Sequence, residues 1–150
     1  MKKSLAVSLL LSAAAVGLHL PAAARDDALH QSFQDLLDSP EAKEKLDGSV
    51  KFYLAGAKTP KVLSRLGSDV SNRKTNSVGK TPEQGCNWAA LSALIALQDK
   101  ARSLGANAVV DIVSYYNRQV EFKSDTQFEC HDGTFSTGVG LKGTYAKVAQ

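Results

Sequence analysis

Cys86 and Cys130 are the only cysteines of this 150-residue chain, and their chemistry depends on the compartment they work in. In an oxidising compartment a lone pair of thiols closes into a disulfide; in a reducing one it offers metal ligands or nucleophiles. No Cys-x-x-Cys spacing is present, which argues against a thioredoxin-like redox site. A metal site would recruit His131 together with Cys86 and His30. Neighbours on a strand point to opposite faces, however, so His131 turns to solvent if Cys130 turns inward. Asp111 interrupts an apolar run: it is either exposed, flanked by Val109 and Val113 on a half-buried face, or a buried acid. Exposure is the expectation for an aspartate. A Ser/His/Asp hydrolase would have to use His30 or His131, and no Gly-x-Ser-x-Gly elbow accompanies them.

Gly79-Lys80-Thr81 invites comparison with a phosphate-binding loop. That motif needs a glycine five residues before its second glycine, and Lys74 stands there; Pro82 removes a backbone donor just beyond. Thr81 is better read as a helix cap. Between residues 58 and 80, Lys58, Lys61, Arg65, Arg73, Lys74 and Lys80 face a single acid, Asp69. Such a segment is either a solvated loop or a surface for an anionic partner. Few aromatics interleave with the charges, which disfavours single-stranded nucleic acid.

The compartment is read from the first 24 residues. Met1-Lys2-Lys3 is a basic start, Leu5 to Leu20 is almost wholly apolar, and Ala22-Ala23-Ala24 offers small residues for cleavage before Arg25. This is the pattern of a secretory signal peptide. The rival reading, a retained anchor, is weakened by Ser12, Gly17, His19 and Pro21. Cleavage leaves residues 25–150 and lowers the formal charge from +3 to +1, with 16 basic against 15 acidic residues. The apparent basicity belongs to the leader, so net charge gives no argument for nucleic-acid binding. Export makes a Cys86–Cys130 disulfide the expected state.

The elements that must position these groups follow from periodicity and caps. Leu29, Phe33, Leu36 and Leu37 predict an amphipathic helix over 26–38, and Ser39-Pro40-Glu41 opens a short one to about Leu46. Val50 to Ala55 predicts a strand. Val62, Leu66 and Val70 fit an extended segment or a helix, and Ser71 to Lys80 reads as loop. Thr81-Pro82-Glu83-Gln84 begins the strongest helix, which runs to about Leu104 with Leu91, Leu94, Leu97, Ala101 and Leu104 on its apolar face and Trp88 and Ile95 beside it. Gly105 ends it.

Beyond Gly105 the period becomes two. Asn107 to Tyr116, Val120 to His131 and Thr134 to Val148 predict an antiparallel meander turning at Asn117-Arg118 and Asp132-Gly133. Phe135, Val139, Leu141 and Tyr145 would share one face of its last strand. The other carries Gly138, Gly140 and Lys142, where the glycines predict a bulge, a bend or close approach of another backbone. The whole predicts an α+β domain: an antiparallel or mixed sheet with one long helix on one face. The division is a leader over 1–24, an N-terminal helical arm over 25–47 and a disulfide-stapled domain over 48–150.

Several segments together carry a resemblance: Ser71-Asn72-Arg73-Lys74-Thr75-Asn76, Cys86-Asn87-Trp88, Leu97-Gln98-Asp99-Lys100-Ala101-Arg102, Gly105-Ala106-Asn107-Ala108-Val109-Val110 and Phe128-Glu129-Cys130-His131. Over about residues 47–148 the chain resembles a family of small exported bacterial proteins often catalogued as an excinuclease component. The missing phosphate loop and the leader both argue against that name. More distantly, the helix–Gly-Ala-Asn-Ala-Val-Val–strand unit is similar to the outer-membrane lipoprotein sensor of the Rcs envelope-stress pathway and to a cytoplasmic family labelled heavy-metal-binding. The resemblance implies an α+β fold and a helix-to-strand disulfide like one in the Rcs sensor. This chain lacks the lipidated cysteine and a second cysteine pair, so outer-membrane anchoring and the sensor's partners do not carry over.

The expectation is a periplasmic, non-catalytic interaction module without cofactor, working in envelope homeostasis or stress sensing. Its partner would be an envelope protein or an anionic surface, met through the basic residues of 58–80. Nucleic acid, nucleotide and stable membrane insertion after cleavage are not expected. The alternative is a periplasmic metal-binding protein using His131, Asp111 or His30.

Overall fold

The computed structural model describes residues 24–150, so the leader reading falls, apart from Ala24, outside the described residues. The elements are β1 (Asp26–Ser32), α1 (Phe33–Asp38), α2 (Pro40–Lys45), β2 (Lys51–Leu54), β3 (Val62–Asn76), α3 (Pro82–Ser103), β4 (Ala108–Ser114), β5 (Gln127–Gly133) and β6 (Ser136–Val148). The fold is α+β: a curled, mixed, six-stranded sheet with α3 packed on one face. β6 is its axis. One edge pairs antiparallel with β3 from Ser136↔Asn76 to Val148↔Val62; the other pairs with β5 at its start and with β4 beyond Leu141. β1 extends the sheet beyond β5, and β2 adds to β4 in parallel.

The start of α3 is as the sequence predicts. Pro82 opens the helix, the Thr81 side chain accepts from the Gln84 backbone, and the Gln84 side chain accepts from the Thr81 N–H. Gly85 sits inside the helix because β6 passes against it: a Cβ there would lie 2.6 Å from Thr137 Oγ1. One residue on, Cys86 is bonded to Cys130, joining α3 to β5 with a Cα–Cα distance of 5.6 Å. The buried stripe is Leu91, Leu94, Leu97 and Ala101 with Ala89, Ala90 and Ala93, whose small side chains bring the helix close to the sheet. It meets Phe128, Val139, Leu141 and Tyr145, with Val109 and Ile112 in the same core. Each large apolar side chain removed from water there contributes roughly 1.5–3 kcal/mol. Trp88 and Leu104 lie outside this core and are exposed.

Four expectations are corrected. Asp26–Ser32 is a strand, not helix, because it pairs with β5 from Asp26↔Gly133 to Ser32↔Gln127. The helix expected over 26–38 therefore begins at Phe33, where Ser32 caps α1 by accepting from the Asp35 N–H. β3 continues to Asn76 through a polar stretch expected to be loop, since pairing with β6 satisfies its backbone without apolar side chains. β4 and β5 do not form a hairpin. Ser114, at the end of β4, bridges instead to Phe122 in the connecting segment, its Oγ accepts from the Glu129 N–H of β5 at 2.8 Å, and a 3-10 turn at Tyr116–Arg118 leads away from β4. Phe135 leaves the core face and stands 78% exposed in the turn before β6.

Asp111 is exposed, as expected, but not flanked by Val109 and Val113 on one face. Its φ of 53° makes a bulge in β4 where the register with β6 shifts. Val109 and Ile112 therefore both join the helix-side core, while Val110 packs in a smaller cluster with Ala108, Ala146 and Val148.

The disulfide closes a loop between residues 44 positions apart, which in the chain-entropy picture stabilises the fold by about 4 kcal/mol. Replacing Cys86 and Cys130 together by Ala should lower the unfolding free energy by that order in urea melts. An unchanged midpoint would show that the bridge constrains nothing.

Candidate functional site

On β5, Phe128 and Cys130 enter the helix-side core, so the alternation turns Glu129 and His131 to the opposite face of the sheet. β1 lies alongside with His30 opposite Glu129 and Ala28 opposite His131. The register gathers two imidazoles and two carboxylates. His131 Nδ1 is 3.0 Å from Asp26 Oδ1, His131 Nε2 is 3.2 Å from Glu129 Oε1, and His30 Nε2 is 3.3 Å from Glu129 Oε2. Glu129 is thus shared by both histidines. Neutral imidazole carries one N–H, so both His131 contacts become hydrogen bonds together only in the imidazolium form.

Aromatic rings close this network from both ends. Tyr116 stacks on His131 with centroids 4.3 Å apart, and Phe122 stacks on His30 at 4.2 Å. Tyr116 can reach this position because Gly138 lies beneath it: a Cβ there would be 2.4 Å from the ring. At Gly140 a Cβ would meet the Tyr115 carbonyl at 2.6 Å, which is the close backbone approach the strand glycines predicted. Lys74 Nζ lies 5.6 Å from the centre of the Tyr116 ring and Lys142 Nζ lies 5.4 Å from that of Tyr115.

The basic residues of 58–80 do not form one patch. Arg65 and Lys74 lie on the outer side of β3, opposite Ala146 and Gly138, whereas Arg73 is opposite Val139 and faces α3. Arg65 is paired with Asp111 at 2.7 Å. Lys80 Nζ donates to the Asn76 carbonyl at 2.7 Å. Lys58 borders a groove beside Phe33 and Phe52, and Lys61 lies next to the C-terminal segment, its carbonyl accepting from the Ala149 N–H.

Asp132, expected in a turn, is buried in β5. It accepts from Arg25 Nη2 and from Thr137 Oγ1, both at 2.8 Å. The alternation Phe128–Cys130–Asp132 carried the signal for its burial. Asp47 is held below the usual carboxylate range by hydrogen bonds from the Ser49 hydroxyl and N–H, with Arg102 adding to them.

Cys86 is committed to the disulfide, and Asp111 is tied to Arg65 away from the histidines. Among the described residues, no three His, Cys, Asp or Glu side chains are arranged to hold a metal ion. No protein-family model matches the chain, and the curated proteins contain no match to it. The network instead clips β1 onto β5 and fixes the aromatic cover over β6. Substituting Glu129→Ala removes the acceptor both imidazoles share. Amide exchange across Asp26–Ser32 should then accelerate roughly tenfold, as expected for one or two lost hydrogen bonds, while α3 keeps its protection. Unchanged exchange in β1 would show that the network holds nothing.

Proposed function

We propose that this protein is an exported, periplasmic interaction module of envelope homeostasis or stress sensing that acts by binding rather than by catalysis. The leader pattern and the Cys86–Cys130 disulfide support the compartment. The resemblance to exported proteins and to the Rcs sensor domain supports the class.

The observation that carries the binding reading lies where β3 ends and β6 begins. The Ser77 N–H donates to the Phe135 carbonyl at 3.2 Å, and the single Ser77 hydroxyl proton is shared between the carbonyls of Gly133 and Thr134, each 3.2 Å away. Two loops are thereby fixed side by side, with Phe135 78% and Val78 64% exposed. Lys74 and Lys80 flank them. Large apolar side chains held in water by a rigid scaffold, rimmed with cations, suit a partner that offers an apolar pocket bordered by carboxylates. An envelope protein fits this better than a bare anionic surface, which would need the cations alone.

Cross-linking the tagged protein in intact envelopes should capture one specific envelope protein. Phe135→Asp combined with Lys74→Glu should abolish capture while the circular dichroism spectrum and the disulfide are preserved. Undiminished capture by that variant would remove the surface from the account.

A further inference from the structure

β3 has one paired edge and one open edge. Among the described residues it pairs with β6 alone. In an antiparallel ladder the backbone groups of successive residues point alternately toward the neighbouring strand and away from it. Two contacts show which residues of β3 point away. The Val70 N–H donates to Oδ1 of the adjacent Asp69 at 2.7 Å, and the Asn72 carbonyl accepts from Nη1 of the adjacent Arg73 at 3.0 Å. The N–H and C=O groups of Ser68, Val70, Asn72 and Lys74 therefore line the open edge.

Natural sheet edges are blunted by bulges, by proline or by a covering element. The bulges of β3 lie near its start, between Val62 and Ser64 and between Arg65 and Gly67, and its register with β6 is regular from Gly67 to Asn76. The strand contains no proline. Among the described residues, the Val70 N–H and the Asn72 carbonyl are met only by the side chains of Asp69 and Arg73, each folded back on its own neighbour. Asp69 and Arg73 are exposed and lie on the α3 side of the strand, two residues to either side of Ser71. The edge is thus an even, polar segment whose opposite charges are placed symmetrically about one residue.

We propose that this edge pairs with the same edge of a second copy of the chain, antiparallel about a two-fold axis at Ser71. Val70 then stands opposite Asn72 of the second copy, and Ser68 opposite its Lys74, each pair exchanging backbone hydrogen bonds. The two groups that a single chain satisfies with its own side chains, the Val70 N–H and the Asn72 carbonyl, become each other's partners across the seam. Asp69 and Arg73 are released from them and face each other, once on each side of the axis. Exposed ion pairs add little strength, but they select the register. A shift that sets Asp69 against its own counterpart, or Arg73 against its own, opposes like charges on adjacent strands. The seam joins residues 67–75 of each copy into one continuous sheet. It uses neither Phe135 nor Val78 and stands independently of the partner surface proposed above.

The test is sedimentation equilibrium of the oxidised protein at low ionic strength, from about 10 µM to about 1 mM, the range in which so small an interface associates. A monomer–dimer equilibrium with a dissociation constant of the order of 100 µM is expected. Asp69→Arg and Arg73→Asp each oppose like charges twice and should each weaken it roughly tenfold. Two mixtures of charge restore the pairing: the double variant Asp69→Arg/Arg73→Asp should dimerise as the natural chain does, and the two single variants mixed in equal amounts should form a heterodimer. A merely structural role for either residue would not produce that heterodimer. The Val70 N–H takes no part in the ladder with β6, so Val70→Pro should abolish association and leave the circular dichroism spectrum unchanged. The proposal is overturned by a monomer throughout the concentration range, by dimerisation undiminished in Asp69→Arg, or by single variants that do not associate with each other.

Discussion

The structure depends on β6 being paired along both edges and packed on both faces. β3 occupies one edge from end to end, while β5 and β4 share the other. Side chains alternate, so Val139, Leu141 and Tyr145 build the helix-side core while Gly138 and Gly140 lie on the other face. The absence of side chains at these glycines lets Tyr115 and Tyr116 lie directly on the strand. Gly143 does the same on the helix side, where a Cβ would be 2.5 Å from Val109 Cγ1. The curl of the sheet, the route of the segment after β4 and the stack on His131 all follow from this one strand.

Because β6 organises two faces, the molecule has two chemically different sides. The helix side is fastened by covalent and close-packed contacts: the disulfide, Gly85 against Thr137, and the alanine stripe of α3. The outer side is held by polar and aromatic contacts among Asp26, His30, Glu129, His131, Tyr116 and Phe122. The first kind of contact gives rigidity. The second joins charged and aromatic side chains that are partly open to solvent.

What could be read from the sequence was what is local. Thr81-Pro82-Glu83-Gln84 announces α3 because capping is settled within one turn, and Ser39-Pro40 announces α2 for the same reason. The strand glycines announced close approach, though not that Tyr116 and Tyr115 would make it. β1 was hidden because the Leu29, Phe33, Leu36 and Leu37 spacing satisfies a helix, whereas pairing with a strand about a hundred residues away decides otherwise. The second half of β3 was hidden because an edge strand can be polar on both faces when its hydrogen bonds come from one neighbour. The cluster on Glu129 needed the β1–β5 register, which is written in neither segment alone.

The claim on which the functional account rests is that this fold works, oxidised, outside the cytoplasm. The intact mass of the protein isolated from cell envelopes without reductant tests compartment and bridge together. The account predicts a chain of residues 25–150, lighter by two hydrogens than its reduced form. A full chain from Met1 with Cys86 and Cys130 open to alkylation would contradict it.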